Sequence, residues 1–228
     1  MAQYLLADVE TTGVSTTDRV VEVAWAILSE DFDILDEGYS LINPLMPIPA
    51  GASAVHHIVN KDVADAPTID QYFGDVLGNR LGSMDVVLVA HNSAFDYRYL
   101  SPYLPEGTPQ MCTLRLARKL YPDLDNHKLG TIVYALELDV KKDRFHSADG
   151  DMAVLSALLG KMSEDFGYTL WDLFELANTP IQMTKIGFGK HKGTPLKNLP
   201  HSYVDWLLNK ADNLDPDLRA SLLALGHK

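Results

Sequence analysis

Residues 4–13 read Tyr4-Leu5-Leu6-Ala7-Asp8-Val9-Glu10-Thr11-Thr12-Gly13, and the interpretation of the whole chain starts from this stretch. Leu5, Ala7 and Val9 alternate with a second set of residues, Leu6, Asp8 and Glu10. This period of two predicts a β-strand that carries both carboxylates on one face. The apolar neighbours indicate a central strand, where burying an unpaired carboxylate costs several kcal/mol. A divalent cation shared by Asp8 and Glu10 would offset that cost, whereas an exposed edge strand would carry the pair without one. The Asp-x-Glu pair alone leaves both possibilities open.

The composition is that of a folded protein outside the membrane. The chain has 228 residues, of which 46% are hydrophobic and 22% charged, enough for one ordinary domain and a small appendage. Apolar runs such as Val86–Ala90 are too short to cross a bilayer, and no secretory signal is expected at the N-terminus. Cys112 is the only cysteine, which excludes an internal disulfide and favours a cytoplasmic location.

The charge is unevenly distributed along the chain. The formal net charge is −12, but residues 1–180 hold 12 Lys and Arg against 27 Asp and Glu, whereas residues 181–228 hold 7 against 4. An acidic protein is an unexpected partner for a polyanion unless its acids bind cations, which reverse the local field.

The order of the predicted elements indicates a mixed α/β sheet. Two further strands, at 20–28 and 34–42, are joined by a short polar connection and extend the first strand into an antiparallel meander. The apolar strand Val86–Ala90 and a short strand near 110–113 then alternate with helices. We expect five strands with helices on both faces. Helices or helical turns are predicted at 52–57, 60–66, 68–78, 95–100, 114–120, 128–136 and 149–162.

The character of the chain changes after about residue 166. Turn signals flank a short helix at 169–177, and a glycine-containing basic segment at 186–196 precedes two helices at 202–209 and 216–225. We therefore expect a main domain over 1–166, a linker with a short helix over 167–184, and a small C-terminal module over 185–228.

Two further acids and a histidine lie where an active site would be expected. Asp96 follows the buried strand Val86–Ala90, at the carboxyl end where α/β sheets place their sites. Asp151 shares the apolar face of the helix at 149–162, and His146 precedes it by five residues. Taken singly, Asp96 is a helix-start acid stabilised by the helix dipole, Asp151 a solvent-facing first-turn acid, and His146 a surface histidine.

Taken together, these residues indicate a metal-dependent hydrolase. Hard oxygen ligands suit Mg²⁺ or Mn²⁺ rather than zinc, and four carboxylates carry about enough charge for two divalent ions. A histidine with an ordinary pKa near neutrality suits a general base that takes a proton from water.

Three segments resemble the exonuclease motifs of the DnaQ-like (DEDDh) 3′–5′ exonucleases, which have a ribonuclease H-like fold. These segments are Asp8–Gly13, His91–Asp96 and His146–Asp151, and their order and spacing match the family. The resemblance covers about residues 4–165. Between the first two motifs, the His-Gly-Ile usual in the family is His56-His57-Ile58 here, which leaves the turn conformation at His57 open.

The C-terminal segment resembles the corresponding module of the exonuclease X group of bacterial exodeoxyribonucleases. The resemblance lies in Phe188–Leu196 and in the downstream residues Leu199, Pro200, Tyr203, Trp206 and Leu207. One interpretation is a phosphate-binding turn, and the other is a solvated basic loop over a small core of Phe188, Tyr203 and Trp206. The residues predicted to contact DNA phosphates are Lys185, Lys190, His191, Lys192 and Lys197.

The resemblance implies roles for individual residues. Asp8, Glu10, Asp96 and Asp151 would bind two Mg²⁺ or Mn²⁺ ions, with His146 as the general base. The implied reaction is hydrolysis of the terminal phosphodiester, releasing 5′-mononucleotides from DNA 3′ ends in repair or recombination. The implied substrate contacts are Thr11, Thr12, His91, Asn92 and Phe95, although Phe95 also fits a core position.

Three alternatives stay open at this point. The same chemistry on RNA would resemble ribonuclease T or oligoribonuclease, since nothing in residues 4–165 separates ribose from deoxyribose. A non-catalytic nucleic-acid-binding protein on this fold is a second alternative, although all four acids and His146 are present. A hydrolase of small nucleotides is a third. The sequence leaves the oligomeric state and the strand preference undetermined.

Overall fold

The computed structural model describes residues 3–76, 85–140, 148–211 and 214–226. The chain forms two compact units, Met1–Ala177 and Asn178–Lys228. In the described ranges, every helix is too short or too polar to cross a membrane.

The first unit is built on a five-stranded mixed sheet. The strands are β1 (Gln3–Thr11), β2 (Val20–Leu28), β3 (Ile34–Leu41), β4 (Val86–Ala90) and β5 (Gln110–Cys112). Their order across the sheet is β3-β2-β1-β4-β5, with β1, β2 and β3 antiparallel and with β4 parallel to both β1 and β5. The predicted five-stranded sheet with flanking helices is confirmed, and β1 is its central strand.

The described helices of the first unit connect and cover the strands. They are α1 (Ala50–His56), α2 (Ile69–Val76), α3 (Ala94–Leu100), α4 (Thr113–Leu120), α5 (Leu129–Ala135), α6 (Ala148–Phe166) and α7 (Leu170–Asn178). A 3-10 turn, Ser101–Tyr103, follows α3.

The sheet has a separate apolar core on each face. On one face, Tyr4 and Leu6 of β1 pack with the α6 side chains Leu155 and Leu158. On the other face, the alternate β1 residues, including Val9, pack with Trp25, Phe73 and Leu88. The period of two in β1 therefore places Asp8 and Glu10 on the face that α6 covers.

The structure differs from the sequence-based expectation in two segments. Residues 60–66, expected as a helical turn, form a succession of turns without a helix. The helix α7, expected in a linker, packs through Leu170 and Leu173 into the core of the first unit, and the compact units divide after Ala177. Turn residues near 167 and 178 mark the ends of α7 but do not show that its apolar face is buried.

The segment His56-His57-Ile58 forms a left-handed turn at His57. His57 ends α1 with φ 64° and ψ 8°, and its N–H donates to the Ser53 carbonyl at 2.8 Å. A non-glycine residue in this region costs about 1–2 kcal/mol. Local hydrogen bonds hold the turn nonetheless, since the Ile58 N–H donates to His56 Nδ1 at 3.1 Å and Ser53 Oγ donates to the Ile58 carbonyl at 2.7 Å.

The second unit is a small aliphatic module. Its helices are α8 (His201–Lys210) and α9 (Pro216–Ala224), preceded by 3-10 turns at Gly189–His191 and Leu196–Asn198. Asp215 begins α9 by accepting hydrogen bonds from the N–H groups of Asp217 and Leu218. The buried core residues are Ile186, Leu196, Leu199, Val204, Leu207, Leu208, Leu218 and Leu222.

Candidate active site

Two elements bring three acidic side chains together. Asp8 and Glu10 project from β1 towards α6, and Asp151 lies in the first turn of α6. One carboxylate oxygen from each of Asp8, Glu10 and Asp151 lies within 4.8 Å of the others. Three carboxylates this close repel one another strongly unless cations or protons lie between them.

The fourth predicted acid, Asp96, lies beside this trio and is held by the backbone of β1. The parallel pairing of β1 with β4 ends at Leu6, which leaves the N–H of Val9 free of β4. Asp96 Oδ1, at the start of α3, accepts that N–H at 3.2 Å. The carboxyl group is 2% exposed and contributes to raising the pKa of Asp8.

Burial and mutual repulsion disfavour ionised acids in this site. Burial, and then the neighbouring charges of Asp96, Asp151, Glu10 and Glu22, raise the pKa of Asp8 well above its ordinary value. Burial, together with Asp151, Glu22 and Asp96, raises the pKa of Glu10 to about 8. Burial raises the pKa of Asp96 to about 8 against the opposing effect of its backbone hydrogen bonds. These carboxylates therefore need positive charge nearby to ionise at neutral pH.

The donor set fits a hard divalent cation. The three converging side chains offer only carboxylate oxygens, with no cysteine or histidine among them. Oxygen-only ligand sets favour magnesium or manganese over zinc. A divalent cation also supplies the positive charge that the raised pKa values of Asp8 and Glu10 call for.

A further buried acid, Glu22, was missed at the sequence level. Glu22 pairs with Glu10 across the two strands and is 3% exposed. Its Oε1 accepts from the Tyr39 hydroxyl at 2.6 Å, and its Oε2 accepts from the N–H of Ala148, the first residue of α6, at 2.8 Å. The side chain thus ties the start of the Asp151 helix to the sheet. The sequence feature that could have identified Glu22 is its position as an acidic residue inside the otherwise apolar run Val20–Leu28.

His146 lies outside the described residues. The chain is described again from Ala148, two positions later, where the Glu22 carboxylate fixes the N–H of the helix.

The predicted substrate contacts Thr11 and Thr12 use their hydroxyl groups to build the turn after β1. Thr11 Oγ1 donates to the Gly13 carbonyl at 2.6 Å, while Thr12 Oγ1 bonds Asp18 at 2.9 Å and accepts the N–H of Arg19 at 3.0 Å. Asp18 packs so closely here that a Cβ on Gly13 would lie 2.6 Å from its Oδ2. The hydroxyls therefore fix the loop between β1 and β2.

The predicted contact His91 also bonds within the protein. Its Nδ1 lies 3.0 Å from Thr113 Oγ1, and its Nε2 lies 2.8 Å from the His127 carbonyl. Burial lowers the pKa of His91 to about 4, so the ring is neutral and Nε2–H donates to that carbonyl. His91 thereby ties the loop before α5 to the end of β4.

Asn92 and Phe95 occupy different positions at the start of α3. Asn92 is exposed in the left-handed conformation, with φ 72°, and its carbonyl accepts the N–H of Phe95 at 2.8 Å. Phe95 is half-buried, packs against the second core, and meets Tyr99 edge to face with ring centroids 5.4 Å apart. The guanidinium of Arg98 lies 5.3 Å from the centre of the Phe95 ring.

A cavity of about 520 Å³ opens onto the acids and carries positive side chains on its wall. Arg118 of α4 and Lys128 at the start of α5 line it, and neither was selected from the sequence. An exposed lysine or arginine has no sequence signal of its own, and only the fold brings these two beside Asp8. The lining residues are Asp8, His91, Leu114, Arg118, Asn126, His127, Lys128, Leu129 and Asp151.

In the second unit, the predicted phosphate contacts are all at the surface. Lys185, Lys190, Lys192 and Lys197 are exposed, and His191 is half-buried. This exposure agrees with the solvated basic loop of the alternative interpretation, but the expected core of Phe188, Tyr203 and Trp206 does not form, since only Tyr203 packs against the core. The core is aliphatic, and Phe188 and Trp206 are 45% and 46% exposed.

Comparison with protein families and curated proteins identifies relatives over most of the chain. A family model described as "Exonuclease" matches residues 5–159. Exodeoxyribonuclease 10 of Escherichia coli K12 is 31% identical over 223 residues, covering 95% of this chain and 96% of the relative. The PolC-type DNA polymerase III of Bacillus cereus is 34% identical over 169 residues, covering 71% of this chain but only 11% of the polymerase.

Solved structures show the same fold. A structure of exonuclease X in complex with 5′-overhanging duplex DNA superposes with a TM-score of 0.61 and 29% identity, covering 77% of this chain and 99% of that one. E. coli exonuclease I in complex with a dT13 oligonucleotide gives a TM-score of 0.60 at 15% identity, covering 72% and 41%, and supports the fold alone. Since the family model spans more than half of the chain and the E. coli relative aligns along nearly all of it, the protein belongs to the exonuclease family.

Proposed function

We propose that this protein is a 3′–5′ exodeoxyribonuclease that hydrolyses the terminal phosphodiester bond of DNA and releases 5′-mononucleotides. The observation that carries the proposal is the convergence of Asp8, Glu10 and Asp151 beside the buried Asp96. Alignment with an exodeoxyribonuclease over 95% of the chain supports DNA as the substrate.

The four acids are proposed to hold two Mg²⁺ or Mn²⁺ ions. Asp8, Glu10 and Asp151 present the converging oxygens, and Asp96 contributes from the start of α3. When bound, these ions polarise the scissile phosphate, activate water and stabilise the leaving oxygen.

The proton of the attacking water is proposed to pass to His146. The side chain precedes Ala148 by two residues, and the Glu22 carboxylate fixes the N–H of Ala148. An imidazole titrates near neutrality, so it can accept this proton and return it to solvent in each turnover.

The cavity wall is proposed to guide the DNA strand. Arg118 and Lys128 supply positive charge close to Asp8 and Asp151 in a unit that is otherwise strongly acidic. Two positive side chains on one wall can position DNA phosphates without contacting the bases. An exonuclease that degrades DNA of any sequence requires this kind of binding. His91 keeps that wall in place through its bond to the His127 carbonyl.

The direct test is digestion of one DNA strand labelled at either end. With Mg²⁺ or Mn²⁺, a 3′ label should appear at once as mononucleotide, while a 5′ label should shorten through a ladder. EDTA should stop both. A matched RNA strand should be degraded more slowly. Release of the 5′ label first, or activity that EDTA leaves unchanged, would contradict the proposal.

A further inference from the structure

The second unit leaves aromatic rings at its surface that its own core does not need. Phe188 and Trp206 are about half-exposed, and Tyr203 packs only partly against the aliphatic core. Single exposed apolar residues are common, but a cluster of rings on a small module indicates a surface that binds something.

Two of these rings, those of Tyr203 and Trp206, form a stacked pair. The Tyr203 and Trp206 rings are nearly parallel, with centroids 5.8 Å apart and an angle of 19° between their planes. The His191 ring lies against that of Tyr203 in a tilted arrangement, with centroids 4.5 Å apart and an angle of 57° between the planes. The indole of Trp206 thus ends a stack that a further planar group can extend.

The same site carries positive charge. Lys190 Nζ lies 5.6 Å from the centre of the Tyr203 ring, and a cavity of about 510 Å³ is lined by Lys190, His191, Pro200, Ser202, Tyr203 and Trp206. Lys192 is exposed two residues further along. The combination of a flat apolar face and adjacent ammonium groups matches a base joined to a phosphate.

The turn that presents these cations is fixed by the backbone. Gly189 has φ 67°, and a Cβ there would lie 3.1 Å from the Tyr203 hydroxyl. Hydrogen bonds from Gly193 N–H to the Ile186 carbonyl and from Ile186 N–H to the Thr194 carbonyl close the turn at 2.7 and 3.0 Å. The Lys190 side chain therefore projects from a turn of defined shape, so ligand binding needs little ordering of the backbone.

We propose that this cavity is a second nucleic-acid site that takes an unpaired nucleotide of the DNA strand. The base stacks on Trp206, and Lys190 and Lys192 contact the flanking phosphates. The identity of the ligand rests on the proposed exodeoxyribonuclease function. Charge supports the assignment, because residues 181–228 hold 7 basic against 4 acidic residues while residues 1–180 hold 12 against 27.

The test measures the affinity of the full-length protein for single-stranded oligothymidylate in EDTA, which blocks hydrolysis. Trp206→Ala should weaken binding roughly tenfold, the scale of one base stacked on an aromatic ring. Trp206→Phe should restore most of it. The matched control is Trp171→Ala, which removes a 55% exposed tryptophan from the first unit and should leave the affinity unchanged.

The lysines are tested through salt dependence. Lys190→Gln with Lys192→Gln should reduce the slope of log affinity against log salt by about 1.4, or about 0.7 for each single-strand phosphate contact. Lys61→Gln in the first unit is the single-charge control. Equal affinities and slopes for wild type, Trp206→Ala and the double lysine variant would overturn the proposal.

A small substrate separates this proposal from the proposed function. The p-nitrophenyl ester of thymidine 5′-monophosphate requires the acidic site and carries a single nucleotide, so no further nucleotide is present to occupy a second site. Trp206→Ala should hydrolyse it at the wild-type rate while its KM for DNA rises. If the wild type fails to hydrolyse either substrate, the proposed function fails, whereas loss of oligothymidylate binding in Trp206→Ala still supports the second site.

Discussion

The candidate sites of the two units of this protein are built from different kinds of side chain. The first unit buries acids, as Asp96 at 2% and Glu22 at 3% exposure show. The second buries aliphatic side chains and leaves Phe188 and Trp206 half-exposed. Each arrangement costs free energy without a ligand, because neighbouring buried carboxylates repel one another and exposed apolar rings restrict the water around them. This difference underlies our two proposals, that cations complete the site of the first unit and that a flat ligand completes that of the second.

The largest effect is expected from removing one acid of the first unit. Asp8→Asn or Asp151→Asn should abolish Mg²⁺-dependent nuclease activity, because each removes a converging oxygen charge while keeping the side-chain shape. The same change should raise the Tm of the metal-free protein by relieving repulsion. Release of labelled mononucleotide and a thermal melt in EDTA check both. Wild-type turnover in either variant would contradict the two-ion assignment.

The next largest effect concerns the proposed general base. His146→Ala should lower kcat by roughly 10²–10⁴-fold, the usual contribution of a positioned acid–base group. Metal affinity should be unchanged, since the carboxylates remain. The measurement is turnover against pH, with Mn²⁺ binding followed by calorimetry. An unaltered kcat near neutral pH would remove His146 from the mechanism.

A smaller loss is expected at Glu22. Glu22→Gln retains one carbonyl acceptor but cannot accept from both Tyr39 and Ala148, so the start of α6 becomes less fixed. We expect turnover to fall roughly 10-fold, the lower end for residues that orient metal ligands. Glu37→Gln on the exposed face of β3 is the matched control. Equal turnover in the two variants would show that Glu22 does not position Asp151.

The contrast between the units should also appear in the pH dependence of stability. The pKa values of Glu10 and Asp96 are raised to about 8, so folding takes up protons. Their stabilising contribution is complete below their ordinary pKa near 4 and is lost as the pH rises through 8.

Calorimetry in EDTA at about pH 6 and about pH 9 checks this difference. The transition of the first unit should move to lower temperature at the higher pH, by roughly 2–4 °C for each kcal/mol lost. Mg²⁺ should abolish the shift, and the transition of the second unit should stay in place. A first-unit Tm independent of pH in EDTA would contradict the pKa assignments.

The smallest effects compare one left-handed residue in each unit. His57→Gly should stabilise the protein by less than about 1 kcal/mol, since the relief of strain is partly cancelled by the flexibility of glycine when unfolded. Gly193→Ala, at φ 83° with open space around its Cβ, should cost about 1 kcal/mol. Urea unfolding measures both. A loss of stability in His57→Gly would show that the imidazole itself supports the turn.

Much of the fold could be predicted because periodicity reports burial directly. The alternation in β1 and the apolar run of β4 predict both strands and the face on which Asp8 and Glu10 lie. Spacing also places Asp151 on the buried side of α6. The turn at His57 could not be settled from the sequence, because a histidine disfavours the conformation that local hydrogen bonds impose.

The side-chain partners could not be predicted because they depend on which strands become neighbours. Glu22 meets Glu10 only through the antiparallel register of β1 and β2, and it reaches Ala148 only through the packing of α6. Thr12 was expected to meet substrate, whereas its hydroxyl bonds Asp18 in the loop. In the second unit, aromatic residues are usual core formers, so their exposure is visible only in the structure.

The hydrogen bond from Val9 to Asp96 bears on how the site gains its cations. A backbone amide of the central strand fixes one carboxylate, and the Ala148–Glu22 bond fixes the helix that carries another. Binding of the ions should therefore require little ordering of the chain. The heat-capacity change on ion binding should be small, unlike that of sites that fold around their ion. Selection between ions would then follow from how well each tolerates a rigid set of oxygens. Magnesium, which demands near-ideal octahedral geometry, should be the more sensitive of the two to any shift of β1 against α6.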